Sequence, residues 1–260
     1  LVGSEMCIRD RRTYGESADR PSVDFYGRQT ELVRALVETG RPVVAVIVNG
    51  KPLNNEWITA HVPAIIDAWE PGMYGGQAVA EILFGKVNPS GKMPVTVPRH
   101  AGQIPMYYYQ AASRYWTGYG LGSSREDDRP AFCFGHGLSY TSFEYSDLKA
   151  DPVCPATGSI RLSFRLKNTG RMTGKEVPMV FVRDCVSSVV TPVNLLKEFT
   201  KVELRPGEER VIEFRIPAER LGLWNEDMKY VTEPGEFVLS VGRSVEDIRL
   251  KTTVRVLQTE

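Results

Sequence analysis

The side chains that could support nucleophilic or metal chemistry are few, and their spacing excludes several kinds of site. His61, His100 and His136 are scattered along the chain without an i, i+4 pair, so no metal centre is expected. The segment GLSYT at 137–141 lacks the second glycine of the GxSxG nucleophile motif. Neither GxGxxG nor GxxxxGK[ST] is present, so the sequence also gives no sign of a bound nucleotide cofactor.

Three carboxyl groups lie near the N-terminus, in the segment GESADRPSVD at 15–24. Asp19 and Asp24 are interpreted as turn and capping residues, because aspartate readily hydrogen-bonds its own backbone. Glu16, taken by itself, has the character of an exposed loop glutamate with an ordinary pKa. Its neighbours alone therefore assign it no chemical role.

The cysteines indicate neither a zinc site nor a disulfide framework. They show neither CxxC nor His-paired spacing, and they are Cys7, Cys133, Cys154 and Cys185. Cys154 and Cys185 could pair in an oxidising compartment, although free buried thiols are the expectation.

Composition excludes two classes of partner. Lys plus Arg and Asp plus Glu each total 32, so no net field attracts nucleic acid or an anionic membrane surface. No apolar run approaches the roughly 20 residues of a membrane span. We therefore expect neither a nucleic-acid nor a membrane partner.

The first half of the chain alternates between helix and strand. The pattern predicts a helix over about 27–38 with Leu32 and Leu36 on its apolar face, then a β-branched strand at 43–48 covered on both faces. A helix at about 55–61, a strand from Ala64, a helix from Gly76 and a short strand or extended exit at 94–97 follow. This alternation is typical of part of an α/β domain with a mostly parallel sheet.

An aromatic segment interrupts the alternation between residues 104 and 129. Two interpretations remain open: a platform on which sugar rings stack, or packing beneath a long connection. The charged run at 125–129 is interpreted as a solvated loop. The aromatic residues are Tyr107, Tyr108, Tyr109, Tyr115, Trp116 and Tyr119.

The second half has the texture of a β-sandwich. Apolar residues alternate with polar ones in three segments, at 160–166, 212–216 and 237–241. Turn signals lie between them at 168–170, 205–207 and 233–235, which predicts two packed antiparallel sheets. Pro178 predicts an edge strand or a bulge within 177–182.

One long stretch organises the whole chain, WEPGMYGGQAVAEILFGKVNPSGKMPVTVP at 69–98. It predicts a helix whose Val79, Ile82 and Leu83 form a buried stripe, closed by Gly85. The stretch closely resembles the C-terminal α/β domain of family 3 glycoside hydrolases, the β-glucosidase and β-xylosidase family. FGHGLSYTSF at 134–143 resembles another segment of that family, and the β-rich part resembles its fibronectin type III-like domain.

The resemblance implies a chemistry and assigns one residue to it. Retaining hydrolysis of a glycosidic bond needs two carboxyl groups about 5–5.5 Å apart. In this family the nucleophilic aspartate lies in an upstream barrel domain, of which no S-D-W-like segment occurs here. Aligning Gln29 and Leu32 with the family places Glu16 on the acid/base glutamate and Arg20 on the arginine that follows it, while Tyr26 replaces the usual proline.

The predicted organisation has three parts. Residues 1–12 resemble translated sequencing adapter and are expected to be a non-native leader, so we also expect the upstream barrel to be missing. Residues 13–139 are expected to form a partial α/β domain, and 140–260 a fibronectin type III-like domain. This chain alone is not expected to hydrolyse glycosides.

The function implied by the resemblance is that of the C-terminal part of a retaining β-glycosidase, foremost a β-glucosidase. Its partners would be β-linked glucosides or oligosaccharides and the missing barrel, and its location periplasmic or secreted. A β-xylosidase or arabinofuranosidase of the same architecture is one alternative. A non-catalytic carbohydrate-binding or interaction protein is the other.

Overall fold

The computed structural model describes residues 20–109 and 129–258, and these form two units. The first unit contains 20–87, 95–106 and 129–132, and the second contains 88–94, 107–109 and 133–258. The chain therefore passes between the units more than once. In the described ranges, no helix is both long enough and apolar enough to span a membrane.

The first unit has the predicted alternation of helix and strand. Its elements in order are α1 (Gln29–Glu38), β1 (Val44–Val48), α2 (Glu56–His61), β2 (Ala64–Trp69) and α3 (Gly75–Leu83). β1 and β2 pair in parallel, from Val44 opposite Ala64 to Val48 opposite Trp69. α3 is followed by Gly85 at φ 70°, a left-handed conformation that glycine adopts without steric cost.

The first unit is less buried than its sequence predicts. β1 is expected to be covered on both faces, yet Val44 is 45% exposed; on α3 the stripe is half-buried, and Leu83 is 43% exposed. α1 contains no buried residue. The expectation fails because, among the described residues, β1 pairs only with β2, so the apolar run has few elements to pack against.

The segment 94–97, predicted as a short strand or an extended exit, forms a single bridge and no strand. Val97 makes one antiparallel bridge to Phe132, in which the Val97 amide donates to the Phe132 carbonyl at 2.8 Å. The Val97 side chain is 1% exposed. A single buried valine therefore anchors this segment within the first unit.

The second unit is a β-sandwich, so the predicted fold class, a partial α/β part followed by a sandwich, is confirmed. Its strands are β3 (Phe143–Ala150), β4 (Val153–Pro155), β5 (Ser159–Asn168), β6 (Gly174–Glu176), β7 (Met179–Asp184), β8 (Leu195–Phe199), β9 (Val202–Leu204), β10 (Glu209–Pro217), β11 (Leu223–Trp224), β12 (Tyr230–Val231), β13 (Gly235–Gly242) and β14 (Ile248–Leu257). One sheet has the order β10-β5-β3 and the other β4-β14-β13-β7-β8, and β6-β9 and β11-β12 form two-stranded ribbons.

The alternating residues form the core of the sandwich. The alternating apolar residues of β5 are at most 1% exposed, and those of β13 at most 2%. They pack in one cluster that draws on both sheets. On β10, Ile216 is fully buried while Phe214 is only partly buried. The period-two pattern therefore identified the inward faces correctly.

Of the two alternatives predicted from Pro178, the structure shows no edge strand but does show a register shift of the kind that a bulge produces. β7 begins after this proline, at Met179, and lies between β13 and β8. Its register against β8 shifts between Val180 and Phe181. Because Pro178 precedes the strand, its missing N–H removes no ladder hydrogen bond and a central position is allowed.

The described cysteines are all free thiols. Cys133 and Cys154 are buried, as expected, and Cys185 is exposed, contrary to the expectation of burial. Cys185 directly follows β7, where the chain leaves the sheet. Burial raises the pKa of the Cys133 thiol, which keeps it protonated and unreactive.

Candidate functional site

The carboxyl ends of β1 and β2 meet at one edge of the first unit. Asn49 follows β1, and its amide donates to the carbonyl of Trp69, the last residue of β2, at 3.1 Å. Trp69 has φ 51°, which a bulky residue rarely adopts. Ligands of open α/β sheets bind beyond the carboxyl ends of the strands, so this edge is the place to look for a site.

Three contacts hold the segment 20–26 at this edge. The Lys51 ammonium, just beyond β1, donates to the Arg20 carbonyl. The Asn54 amide donates to the Val23 carbonyl at 2.8 Å. The Asn55 side-chain amide donates to Asp24 Oδ1 at 2.8 Å. The loop that leads into α1 is therefore attached to the connection between β1 and α2.

Buried polar atoms at the same edge lack partners in the described part of the chain. Asn49 is 1% exposed and Asn54 3% exposed, and the Oδ1 atom of each accepts no hydrogen bond there. The side-chain amide of Asn49 donates to the Lys51 carbonyl at 2.7 Å, and that of Asn54 donates to the Arg99 carbonyl at 2.9 Å. A buried acceptor without a donor costs free energy, so each oxygen can accept a hydroxyl, an amide or a water.

Arg20 adds a cation with an unpaired donor. Its Nε is buried without an acceptor among the described residues, while its terminal nitrogen bonds the Asp24 carbonyl. The guanidinium lies 5.8 Å from the centre of the Tyr26 ring. The edge thus presents acceptors and a donor together, which suits a ligand rich in hydroxyl groups.

Asp67 is an acidic residue of this edge that the sequence analysis missed. Burial raises the pKa of its carboxyl, and the hydrogen bond from the Trp69 amide opposes this in part. The bond measures 3.3 Å. The signal was available, because a carboxylate inside the apolar run 64–69 is out of place in a strand that serves packing alone.

Of the carboxyl groups singled out from the sequence, Asp24 is described and serves as a local cap. Its Oδ1 accepts from the Phe25 amide at 2.7 Å, in agreement with its interpretation as a turn residue. Glu16, the acid/base candidate, and Asp19 lie outside the described residues. The structure therefore places Arg20 and the segment that follows it, and the role of Glu16 stays a prediction.

The histidines are separate, as their spacing suggested. His61 stacks on Trp57, with ring centres 4.4 Å apart, and its Nδ1 lies 2.8 Å from the Trp57 carbonyl. His100 precedes a short 3-10 turn at Ala101–Gln103. In the described ranges, no group of three or more histidine, cysteine or acidic side chains is arranged to hold a metal ion.

The described rings of the aromatic segment differ in burial: one packs in the core and two are exposed. Tyr108 stacks on Phe134 at 4.2 Å between ring centres and packs with the Met179 and Phe181 cluster, so this ring contributes to the core. Tyr107 and Tyr109 are 53% and 44% exposed and stack on each other at 5.4 Å. The other three aromatics, Tyr115, Trp116 and Tyr119, lie outside the described residues.

A buried ion cluster in the second unit, formed by Lys92, Glu176 and Arg243, was not foreseen. Glu176 is 1% exposed. Lys92 Nζ lies 3.0 Å from its Oε1, and Arg243 Nε lies 3.0 Å from its Oε2. The Arg243 contact is an ion pair without hydrogen-bond alignment, since neither atom has a hydrogen-bond partner in the described part of the chain. The Val177 amide also donates a hydrogen bond to Glu176 Oε1, at 2.8 Å.

The cluster holds the NPSGK segment of the 69–98 stretch in the second unit. Beside Lys92, the Met93 amide donates to the His136 carbonyl at 2.7 Å and the Gly135 amide donates to the Met93 carbonyl at 2.8 Å. Asn88 Oδ1 accepts from Ser139 Oγ and the Tyr140 amide. The two motifs singled out from the sequence therefore bind each other.

Family models match both parts of the chain. A model described as the glycosyl hydrolase family 3 C-terminal domain matches residues 5–140. A model described as a fibronectin type III-like domain matches residues 176–245. Together they cover the α/β part and the centre of the sandwich.

Named relatives and solved structures agree with these models. A β-xylosidase of Formosa agariphila is 42% identical over 254 residues, which are 97% of this chain and 34% of the relative. A periplasmic β-glucosidase of Salmonella typhimurium is 37% identical over 91% of this chain and 32% of the relative. The structure of a mutant β-glucosidase from Listeria innocua in complex with laminaribiose has a TM-score of 0.87 at 31% identity, over 94% of this chain and 34% of that one. The chain spans about a third of the length of these proteins.

Proposed function

The chain belongs to glycosyl hydrolase family 3, and on that premise we propose that it forms the C-terminal part of a retaining β-glycosidase that acts on β-linked glucosides. In this proposal the nucleophilic carboxylate belongs to the portion of the relatives that this chain does not match. The first unit contributes the acid/base carboxyl and one wall of the sugar site.

Glu16 is the proposed acid/base residue. It must donate a proton to the leaving oxygen and later remove one from water, which requires a raised pKa. The observation that supports this role is the attachment of the segment 20–26 to the carboxyl edge of the parallel sheet through Lys51, Asn54 and Asn55. Glu16 precedes Arg20, the first residue of that attached segment, by only four positions in the sequence.

The residues at the edge have separate proposed tasks. The unpaired oxygens of Asn49 and Asn54 and the unpaired Nε of Arg20 are suited to hydrogen bonding with sugar hydroxyls or with the loop that carries Glu16. Asp67, with its raised pKa, is an alternative acid on the sheet itself. Either role places proton transfer at the carboxyl ends of β1 and β2.

A β-xylosidase is the second candidate function. It is favoured by the 42% identity to the relative of that name, which exceeds the 37% identity to the periplasmic β-glucosidase. The two substrates differ by one hydroxymethyl group. Comparison of 4-nitrophenyl β-glucoside with 4-nitrophenyl β-xyloside on the full-length protein distinguishes them through the ratio of kcat/KM.

The test of the acid/base role uses Glu16→Ala in the full-length protein. We expect hydrolysis of phenyl β-glucoside, which has a poor leaving group, to slow by roughly 10²–10⁴-fold. The glycosylation step with 2,4-dinitrophenyl β-glucoside should slow much less, since that leaving group needs no proton. Azide should restore the deglycosylation step, because it attacks without a general base.

Two matched variants complete this test. Glu31→Ala removes an exposed glutamate of α1, paired with Arg28, and should leave both substrates unaffected. Asp67→Asn examines the alternative acid. Equal slowing of both substrates by Glu16→Ala without azide rescue, together with azide rescue of Asp67→Asn, would assign the role to Asp67 instead.

A further inference from the structure

The sandwich carries two adjoining cavities on the surface where the chain leaves β7. One has a volume of about 360 Å³ and the other about 270 Å³. They share Asp184, at the end of β7, and the loop residues 189–192. The larger volume is at the lower end of the range for small-ligand sites, which is roughly 300–1,000 Å³, and the smaller one is just below that range.

The loop between the cavities is held in place by its own hydrogen bonds. Ser187 Oγ donates to the Val189 carbonyl at 2.7 Å and lies 3.1 Å from Thr191 Oγ1. The Ser188 amide donates to Glu233 Oε2 at 2.9 Å. A loop fixed in this way presents a preformed surface, so a ligand would bind without the cost of ordering it.

One wall of the smaller cavity is an exposed indole. Trp224, on β11, is 61% exposed and lines this cavity. Tyr230, opposite it on β12, contacts it edge-on with ring centres 5.5 Å apart, and the Tyr230 hydroxyl donates to the Glu219 carbonyl at 3.2 Å. A large flat ring is therefore accessible to solvent while its orientation is fixed by a neighbour.

Two charged side chains of opposite sign line the same cavity. Lys197 comes from β8 and Asp184 from β7, and neither forms an ion pair within 20–109 and 129–258. Burial lowers the pKa of Lys197 and raises that of Asp184, so both are partly withdrawn from water. Asp184 Oδ1 accepts one hydrogen bond, from the Val186 amide at 3.2 Å, and a partly desolvated carboxylate with further acceptor capacity gains from a ligand that supplies hydrogen bonds.

We infer that this cavity, which we call the Trp224 site, binds a neutral oligosaccharide. The flat apolar face of a pyranose fits an indole ring, and its hydroxyls can both donate to Asp184 and accept from Lys197. The opposite charges of these residues favour a neutral ligand over an anionic one. The choice of sugar as ligand class rests on the proposed function.

The experiment measures binding to the purified 260-residue chain by titration calorimetry with laminaritetraose, cellotetraose and xylotetraose. We expect saturable binding of at least one of them. Trp224→Ala should weaken it by roughly tenfold or more, as loss of a central aromatic contact does elsewhere. Lys197→Met should also weaken it. Phe199→Ala, which removes a 64% exposed ring of β8 outside both cavities, should leave it unchanged.

Glu16→Gln separates this inference from the proposed function. Binding that persists in Glu16→Gln supports the Trp224 site even if the full-length protein hydrolyses no glucoside. Absence of binding for all three tetrasaccharides at millimolar concentration would overturn the inference, and so would equal affinity of Trp224→Ala and the parent chain. A dimer in ultracentrifugation that Trp224→Ala dissociates would overturn it too, since a second copy would then be the occupant.

Discussion

Glu176 shows how a single residue depends on charges that are distant in sequence. A carboxylate with 1% exposure is costly unless it is paired and hydrogen-bonded. Lys92 precedes it by 84 positions and Arg243 follows it by 67. The pairing therefore links three separate segments of the second unit, and it stabilises that unit only while all members are present.

Lys92→Met should lower the free energy of unfolding of the second unit by about 3–5 kcal/mol, because the buried carboxylate loses its ammonium partner and keeps only the Arg243 guanidinium and the Val177 amide. Urea denaturation followed by circular dichroism measures the change. The matched control is Lys175→Met. Lys175 lies on the same strand as Glu176, and the substitution breaks its exposed pair with Glu203 at 3.4 Å. That variant should lose no more than about 1 kcal/mol, and equal losses in the two variants would contradict the role given to Lys92.

Residue-level features were predictable only where they are local. Asn168 was foreseen as a turn residue, and its backbone does end β5. Its side chain is nevertheless fully buried, accepting from Thr141 Oγ1 at 2.7 Å and donating to the Leu204 carbonyl at 2.9 Å. These partners are 27 and 36 residues away, so no local pattern could reveal them.

At the scale of elements, the N-terminal cap of α2 holds the loop that runs from Arg20 to α1. Asn55 caps this helix, as its Oδ1 accepts from the Ile58 amide at 3.1 Å. The same side chain donates to Asp24. Asn55 thus caps a helix through its side-chain oxygen and holds a loop through its side-chain amide. Because different atoms make the two contacts, substitution can separate the two effects.

Asn55→Ala should destabilise the first unit by roughly 1 kcal/mol through loss of the cap. It should also speed amide hydrogen exchange in residues 22–26, since the contact to Asp24 disappears. Asn55→Ser keeps a capping oxygen but not the amide donor. We therefore expect Asn55→Ser to retain most of the stability while exchange at 22–26 is still accelerated. Slow exchange in both variants would show that Asn55 does not hold this loop.

Elements with strong periodicity were predicted, and very short ones were not. β5, β10 and β13 run for eight to ten residues with alternating apolar side chains, which gives a clear period of two. β11 and β12 have two residues each, too few to show any period. The candidate site was also predicted only in part. The loop 15–24 was identified by its resemblance to a family segment, whereas Asp67, inside a predicted strand, was missed.

At the scale of the whole molecule, equal numbers of acidic and basic residues leave pH dependence to individual groups. His136 is one of them. Burial, together with the charges of Lys92 and Arg243, lowers its pKa below the ordinary value. The unfolded chain then binds a proton that the folded chain does not, so stability decreases as pH falls through about 6.5 toward the lower folded value.

His136→Asn should reduce this dependence, giving a smaller loss of unfolding free energy between pH 7.5 and pH 5 than the parent chain shows. Urea unfolding at several pH values measures the slope, which is informative even if the variant is less stable throughout. His61→Asn, which removes an exposed ring on α2, should keep the parent slope. A parent-like slope in His136→Asn would exclude this histidine as the source.

The predicted domain boundary between 139 and 140 stays a prediction. The structure assigns 133–139 and 88–94 to the same unit as the sandwich strands, so the division is not a single point in the sequence. Local composition reveals a change of texture along the chain. It cannot reveal that an earlier segment has left one unit and joined another.

Because residues 88–94 belong to the second unit, they affect whether a gene segment for the sandwich can be inherited on its own. A gene segment that spreads between unrelated proteins by recombination must encode a unit able to fold from one contiguous stretch. A segment encoding only 140–258 would produce a sandwich in which Glu176 lacks Lys92 and the Tyr140 amide lacks Asn88 Oδ1. We therefore expect such a sandwich to be inherited together with the α/β part that precedes it, as one evolutionary unit.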